Sequence, residues 1–230
     1  MSAIDTARTV GELVTERPAR SRVFEEHGID YCCGGGIPLE DACAEAGVEA
    51  ERVLEALATA EGDSAGECDR NWAEAGSAEL VEHILSAHHE FLRRELPRLD
   101  SLTEKVLDAH GENHPGLSDV RRTFLALRGE LEMHMSKEEQ VLFPAIVGRG
   151  ESLPEGALDA PIRVMEHEHV SAGRALEALG ELTDDYTPPE DACNTYRAML
   201  DAIAELTRDL HRHIHEENNI LFPRYAPGQG

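Results

Sequence analysis

One pattern occurs twice in this chain. His134-x-x-x-Glu138-x-x-Val-Leu-Phe143-Pro144 returns as His213-x-x-x-Glu217-x-x-Ile-Leu-Phe222-Pro223, 79 residues later. A histidine and a glutamate four positions apart project from the same side of a helix. Both pairs sit inside apolar stripes. Four segments carry the three- and four-residue apolar spacing of a helix that buries one face. The first runs through Leu85, His89, Leu92, Leu96, Leu99, Leu102 and Val106. The second takes Val120, Phe124, Leu127, Leu131, His134, Glu138 and Val141, and the third Ile162, Met165, His169, Ala172, Leu176 and Leu179. The fourth passes Met199, Ile203, Leu206, Leu210, His213, Glu217 and Ile220. Connections containing Gly and Pro, at 110–116, 148–161 and 180–189, separate them. The spacing predicts an all-α fold, an up-down four-helix bundle built from two similar helix pairs.

The stripes contain six residues that do not belong in an apolar core: His89, His134, Glu138, His169, His213 and Glu217. Burying each one unpaired costs several kcal/mol, so they must satisfy one another or bind metal. Two glutamates can bridge a pair of cations and imidazoles can complete the coordination, a chemistry open to iron, zinc, copper or nickel. With no thiolate in the set, mixed carboxylate and imidazole ligation points to a di-iron site of roughly two-fold symmetry. Neighbours compete for two places. His88 with His167 fits the repeat at least as well as His89 with His169, but the stripes favour His89 and His169. His211 and His215 fall on other faces of their helix. Glu139 and Glu216 are expected to face solvent; Glu166 and Glu168, next to His169, could hydrogen-bond a ligand or relay protons but are expected on a solvated face, and the loop residues His110 and His114 receive no role.

Asp and Glu number 46 against 21 basic residues, a formal charge of −25. That field repels phosphate backbones and anionic lipid, which argues against nucleic-acid and membrane partners. No apolar run is long enough to span a bilayer. The opening MSAIDTARTVGEL has no basic segment followed by an apolar one, so a cytoplasmic chain is expected. Lys105 and Lys137 are the only lysines. An acidic excess nearly free of lysine predicts a protein adapted to concentrated salt, where screening removes self-repulsion.

Residues 1–60 read as a small helical domain around the turn Gly28-Ile-Asp-Tyr-Cys-Cys-Gly-Gly-Gly36, residues 61–76 as a linker, and 77–230 as the bundle. The five cysteines form an odd set that does not make a disulfide scaffold. Cys32 and Cys33, adjacent on a glycine turn, are expected to be exposed and to serve as the catalytic pair in metal transfer or redox exchange. Cys43, Cys68 and Cys193 are expected to be structural.

With these residues in view, the chain resembles the hemerythrin-like iron–sulfur cluster repair di-iron proteins, also called RIC or YtfE/ScdA-type. The resemblance rests on Asp30-Tyr-Cys-Cys-Gly-Gly35, on the two repeated segments, on Val164-Met-Glu-His-Glu-His169, and on His89 ahead of Glu90 and Leu92-Arg93. It implies an oxo-bridged centre of two non-haem iron ions, bridged by Glu138 and Glu217 with His89, His134, His169 and His213 as terminal ligands. It also implies repair of clusters damaged by nitric oxide or peroxide, by supplying iron; from ligand chemistry, reduction to Fe(II) is expected to loosen that iron for release. Damaged iron–sulfur proteins are then the partners, and family members suggest a homodimer. The departure is His88, where the family often has Tyr. Alternative readings are an oxygen- or nitric oxide-binding module, a nitric oxide reductase, and a zinc-stabilised bundle. Five-histidine oxygen carriers differ from the four histidines and two carboxylates found here.

Overall fold

The computed structural model describes residues 4–63, 70–149 and 156–225. The chain forms two compact units, one of Met1–Leu80 with His211–Gly230 and the other of Val81–Leu210.

In the first unit, Thr9 starts α1 (Val10–Glu16) with a reciprocal cap. Its hydroxyl accepts from the Glu12 N–H while its own N–H donates to the Glu12 carboxylate, each at 3.2 Å. A 3-10 turn, Pro18–Arg20, leads into α2 (Ser21–Glu26). Then come α3 (Leu39–Ala46) and α4 (Ala50–Asp63). Gly47 ends α3 at φ 69, a backbone conformation that glycine adopts without steric cost. Val10, Leu13, Phe24, Leu39, Val53 and Leu57 are fully buried and form this unit's core. Helix α4 runs three residues into the stretch read as linker. Residues 64–69 of that stretch, Cys68 included, lie outside the described residues.

The second unit holds the bundle. Helix α5 (Ser77–His83) passes through a π-helical turn, Ile84–His89, into α6 (Glu90–His110). Helix α7 (Leu117–Lys137) passes through a second one, Glu138–Leu142, into α8 (Phe143–Arg149). Helices α9 (Asp159–Leu182) and α10 (Asn194–His215) complete the set; the last residues of α10, from His211, and a third π turn, Glu216–Leu221, are counted with the first unit. Helices α6, α7, α9 and α10 pack as a four-helix bundle on the apolar stripes. Pro161 lies inside the first turn of α9, where no backbone N–H is required. Residues 150–155 of the preceding connection are outside the described residues. After α9 the chain turns through Asp184, Asp185 and Tyr186, all with positive φ, held by the Asp185 N–H on the Gly180 carbonyl at 2.9 Å.

The π turns correct two stripe positions. Ile84 is fully buried and Leu85 only half-buried, so the step to His89 is five residues and not four. Val141 is 61% exposed while Leu142 is buried. A π turn carries more residues than an α turn, so the fourth residue after Glu138 returns to the buried side and the third does not. Among the described residues no helix is long and apolar enough to cross a membrane.

Candidate metal centre

Within the bundle unit the donors converge on Glu138, which is fully buried at the α7–π junction. His89 Nε2 lies 3.3 Å from Glu138 Oε2, and His134 Nε2 lies 3.3 Å from Glu138 Oε1. Neither contact is a hydrogen bond. Both carboxylate oxygens lack a hydrogen-bond partner among the described residues. The other ring nitrogens are tied down. His89 Nδ1 donates to Glu139 Oε1 at 2.7 Å, and His134 Nδ1 donates to Glu168 Oε2 at 2.9 Å. A ring whose Nδ1–H is engaged by a carboxylate presents its Nε2 lone pair inward, the tautomer a metal ligand needs. His169 Nε2 stands 3.1 Å from His134 Nε2. Donor atoms of His134, Glu138 and His169 all lie within 4.8 Å of one another.

This arrangement fits a cation. The Nε2 lone pairs of His89 and His134 face a buried carboxylate, a mutually repulsive set, and positive charge between them removes the conflict. Glu139 and Glu168 are in turn paired with Arg93 and Lys137. Burial by itself would raise both carboxyl pKa values. The hydrogen bonds from His89 and Arg93 to Glu139, and from Lys137 and His134 to Glu168, outweigh it and hold both groups low.

The second copy of the motif has the same local geometry. In its own unit, His213 Nε2 lies 3.3 Å from Glu217 Oε1, and both residues are buried. The histidine lies in the last turn of α10 and the glutamate sits in the third π turn.

Residues 80–225 match the model of the hemerythrin HHE cation-binding domain, and residues 6–61 match ScdA_N, a domain of unknown function. A probable iron-sulfur cluster repair protein of Haemophilus influenzae is 37% identical, covering 94% of this chain and 95% of that protein. The iron-sulfur cluster repair protein YtfE of Pectobacterium carotovorum is 40% identical over 96% of this chain and 98% of its own length. That of Musicola paradisiaca is 38% identical over 96% and 97%. The chain belongs to this hemerythrin-type iron–sulfur cluster repair family. Its buried His/Glu clusters are accordingly those of a di-metal site.

Of the competing histidines, His89 faces Glu138, whereas His88 Nδ1 bonds to Asp209 Oδ1 at 3.0 Å and both partners are buried. His167 is exposed on α9 while His169 is buried. Three acids are not where the sequence placed them. Glu216 is buried, and Glu139 and Glu168 are half-buried because each accepts from a ligand-type histidine. The signal that finds them is chemical. A histidine binding through Nε2 needs an acceptor for Nδ1–H, and an acid lies next to Glu138 and next to His169 in the sequence.

The cysteine turn also differs from its expectation. Cys32 is buried and Cys33 half-buried. Asp30 organises the turn: Oδ1 accepts the N–H groups of Cys32 and Cys33, and Oδ2 that of Gly34, each at 2.9 Å. The Cys32 thiol donates to Asp30 Oδ1 at 3.2 Å and lies 3.9 Å from Cys33 Sγ. The hydrogen bond with Cys33, burial and the charge of Asp30 push the Cys32 pKa up, so it is held as a thiol. The turn is seated against the chain's last π turn. Asn219 Nδ2 donates to the Cys32 carbonyl at 3.0 Å, and a Cβ on Gly35 would lie 2.2 Å from Asn219 Oδ1. His215, two residues after His213, bonds the Tyr31 carbonyl at 3.2 Å.

Proposed function

We propose that this protein repairs iron–sulfur clusters damaged by nitrosative or oxidative stress by supplying iron, with damaged iron–sulfur proteins as its partners in the cytoplasm. The observation that carries the proposal is the near full-length similarity, across both domains, to proteins named for that repair. The residues that would hold two non-haem irons are His89, His134, Glu138, His169, His213 and Glu217. Support comes from the orientation of the histidines around Glu138, the matching 3.3 Å His–Glu geometry of both motif copies, and a cation-binding domain that spans both.

Bound iron would supply a redox-dependent affinity, held more firmly when oxidised than when reduced. The chain's own residues do the rest. Glu139 and Glu168 fix two imidazoles by their Nδ1–H groups, and Arg93 and Lys137 hold those carboxylates in place. Cys32 and Cys33 are proposed as the pair that receives or passes on the iron. Release of the Cys32 proton from its bond to Asp30 would be the first requirement, because the thiolate is the form that binds metal.

The test is metal content together with an absorption spectrum before and after dithionite, followed by cluster restoration in a damaged iron–sulfur protein. Two irons per chain, a near-ultraviolet band that bleaches on reduction, and restored client activity are expected. Zinc only, or less than one metal per chain after iron reconstitution, overturns the iron assignment. Unchanged repair by a Cys32→Ser, Cys33→Ser double variant overturns the role of the pair.

A further inference from the structure

About 30 Å along α6 from His89, counted at the helical rise per residue, a second set of metal-type side chains gathers. Helix α6 ends at His110, and the backbone N–H groups of Asn113 and His114 bond back to the His110 carbonyl at 3.0 and 2.8 Å. That turn brings His114 round beside His110. On the opposing segment, the Ala192 N–H bonds to the Pro189 carbonyl at 3.0 Å, and the chain enters α10 at Asn194. This places Asp191 and Cys193 against the two histidines. His110 Nε2 lies 3.2 Å from Cys193 Sγ, and His114 Nε2 lies 3.0 Å from each oxygen of Asp191. Donor atoms of His110, His114 and Asp191 are within 4.8 Å of one another. The buried ring of Tyr196 backs both imidazoles, its centroid 5.4 Å from His110 and 5.8 Å from His114.

We propose that His110, His114, Asp191 and Cys193 form a second metal site, a tetrahedral one suited to zinc, that ties the end of α6 to the start of α10. One thiolate, two imidazoles and one carboxylate are donors that zinc accepts in a four-coordinate site. The geometry is close to what binding requires. Zinc–nitrogen and zinc–oxygen bonds of about 2.05 Å and a zinc–sulfur bond of about 2.3 Å put N and S about 3.5 Å apart, and N and O about 3.3 Å apart. The His110–Cys193 and His114–Asp191 separations open by a few tenths of an ångström, and Cys193 Sγ, which touches His110 but lies outside the 4.8 Å group of the other three donors, turns inward by side-chain rotation. The Cys193 thiol is already acidified for ligation. Its hydrogen bond with His110, helped by the N–H groups of Tyr196 and Thr195 at the start of α10, lowers its pKa to about 7. On zinc binding the Cys193 thiol proton leaves to solvent, each imidazole carries its one proton on Nδ1 so that Nε2 is free to ligate, and no electron is transferred. Two unrelated surface contacts, a His–Asp pair and a His–Cys pair, are the competing account. They require neither the shared Tyr196 support nor the convergence of donors from both pairs.

The site contains a thiolate and the proposed iron centre does not, which separates their tests. The experiment adds cobalt(II), as a spectroscopic stand-in for zinc, to the iron-loaded full chain. One equivalent should give a thiolate-to-cobalt charge-transfer band with strong visible bands of tetrahedral cobalt, all removed by one equivalent of zinc. Cys193→Ser should abolish the charge-transfer band with the iron content unchanged, whereas Cys32→Ser, Cys33→Ser should keep it. His114→Ala should weaken zinc binding by at least about tenfold, since losing even an outer partner of a ligand costs 10–100-fold. Absence of the band overturns the site, as does a band that survives Cys193→Ser or is lost in the Cys32→Ser, Cys33→Ser chain.

Discussion

A histidine that ligates through Nε2 leaves an Nδ1–H that its surroundings must accommodate. In the proposed centre Glu139 would meet that need for His89, whose Nδ1–H it accepts, and Glu168 for His134. Glu139→Ala and Glu168→Ala should each lower metal affinity by about 10–100-fold while leaving helical content intact, read by chelator competition and circular dichroism. His215 has no such role, and its ring is buried neutral between the Tyr31 carbonyl and Thr15. Burial lowers its pKa from 6.5 to about 4. Between those values the unfolded chain binds the proton that the folded chain refuses, so this contribution to stability is present above 6.5 and lost as pH falls towards 4. The stability difference between the native protein and His215→Asn, taken from denaturant unfolding, should therefore shrink as pH drops from 7 to about 4. A constant difference would remove His215 from the acid response.

At the scale of elements, every copy of the repeated motif, and His89 as well, lies in or beside a π turn. A π turn carries an extra residue and re-aims everything after it. Deleting Gln140 should remove the extra residue and close Glu138–Leu142 into an α turn, changing how Glu138 sits against its histidines while Leu142 and Phe143 stay on the buried side. Iron content and thermal stability should both fall while helical content is retained. If iron is retained at full stoichiometry, the π turn is incidental. Seating of the cysteine turn depends on another element-level fit. Gly35→Ala would drive a Cβ into Asn219, with Cγ at 2.8 Å, and overpacking of this kind costs about 1–3 kcal/mol. Lower stability and faster alkylation of Cys33 are the expected readouts.

For the whole molecule, the charge of −25 is the dominant long-range quantity. Arginines answer part of it locally, as where Arg121 and Arg128 both bind Asp100 at 3.0 and 2.6 Å. The net repulsion remains, and its range is about 10 Å at 0.1 M salt and 3 Å at 1 M. Thermal stability should rise between about 0.1 M and about 1 M potassium chloride. A melting temperature that falls over that range would contradict the salt-adapted reading.

Periodicity was enough for the bundle, because a helix that buries one face repeats its apolar residues wherever it sits. Stripes such as Ile162, Met165, Ala172, Leu176 and Leu179 are buried as their spacing requires. The duplicated His-x-x-x-Glu was legible for a related reason: ionisable residues inside an apolar stripe need a partner or a metal, and one chain supplied the same set twice. Position within a stripe failed at Leu85 and Val141, since a π turn is a compromise between helix geometry and the packing of neighbouring helices, and no local residue preference encodes it. Glu139 and Glu168 stand beside ligand-type residues in the sequence, but which histidine each one meets, like the pairing of His88 with Asp209, is set by contacts between helices far apart in the chain. Burial of Cys32 depended on Asn219, 187 residues away in sequence. The sequence by itself determined which faces are apolar and which residue types they carry. Only the tertiary structure decided which polar atoms meet, because hydrogen bonds and ligand contacts act over about 3 Å between segments far apart in the chain.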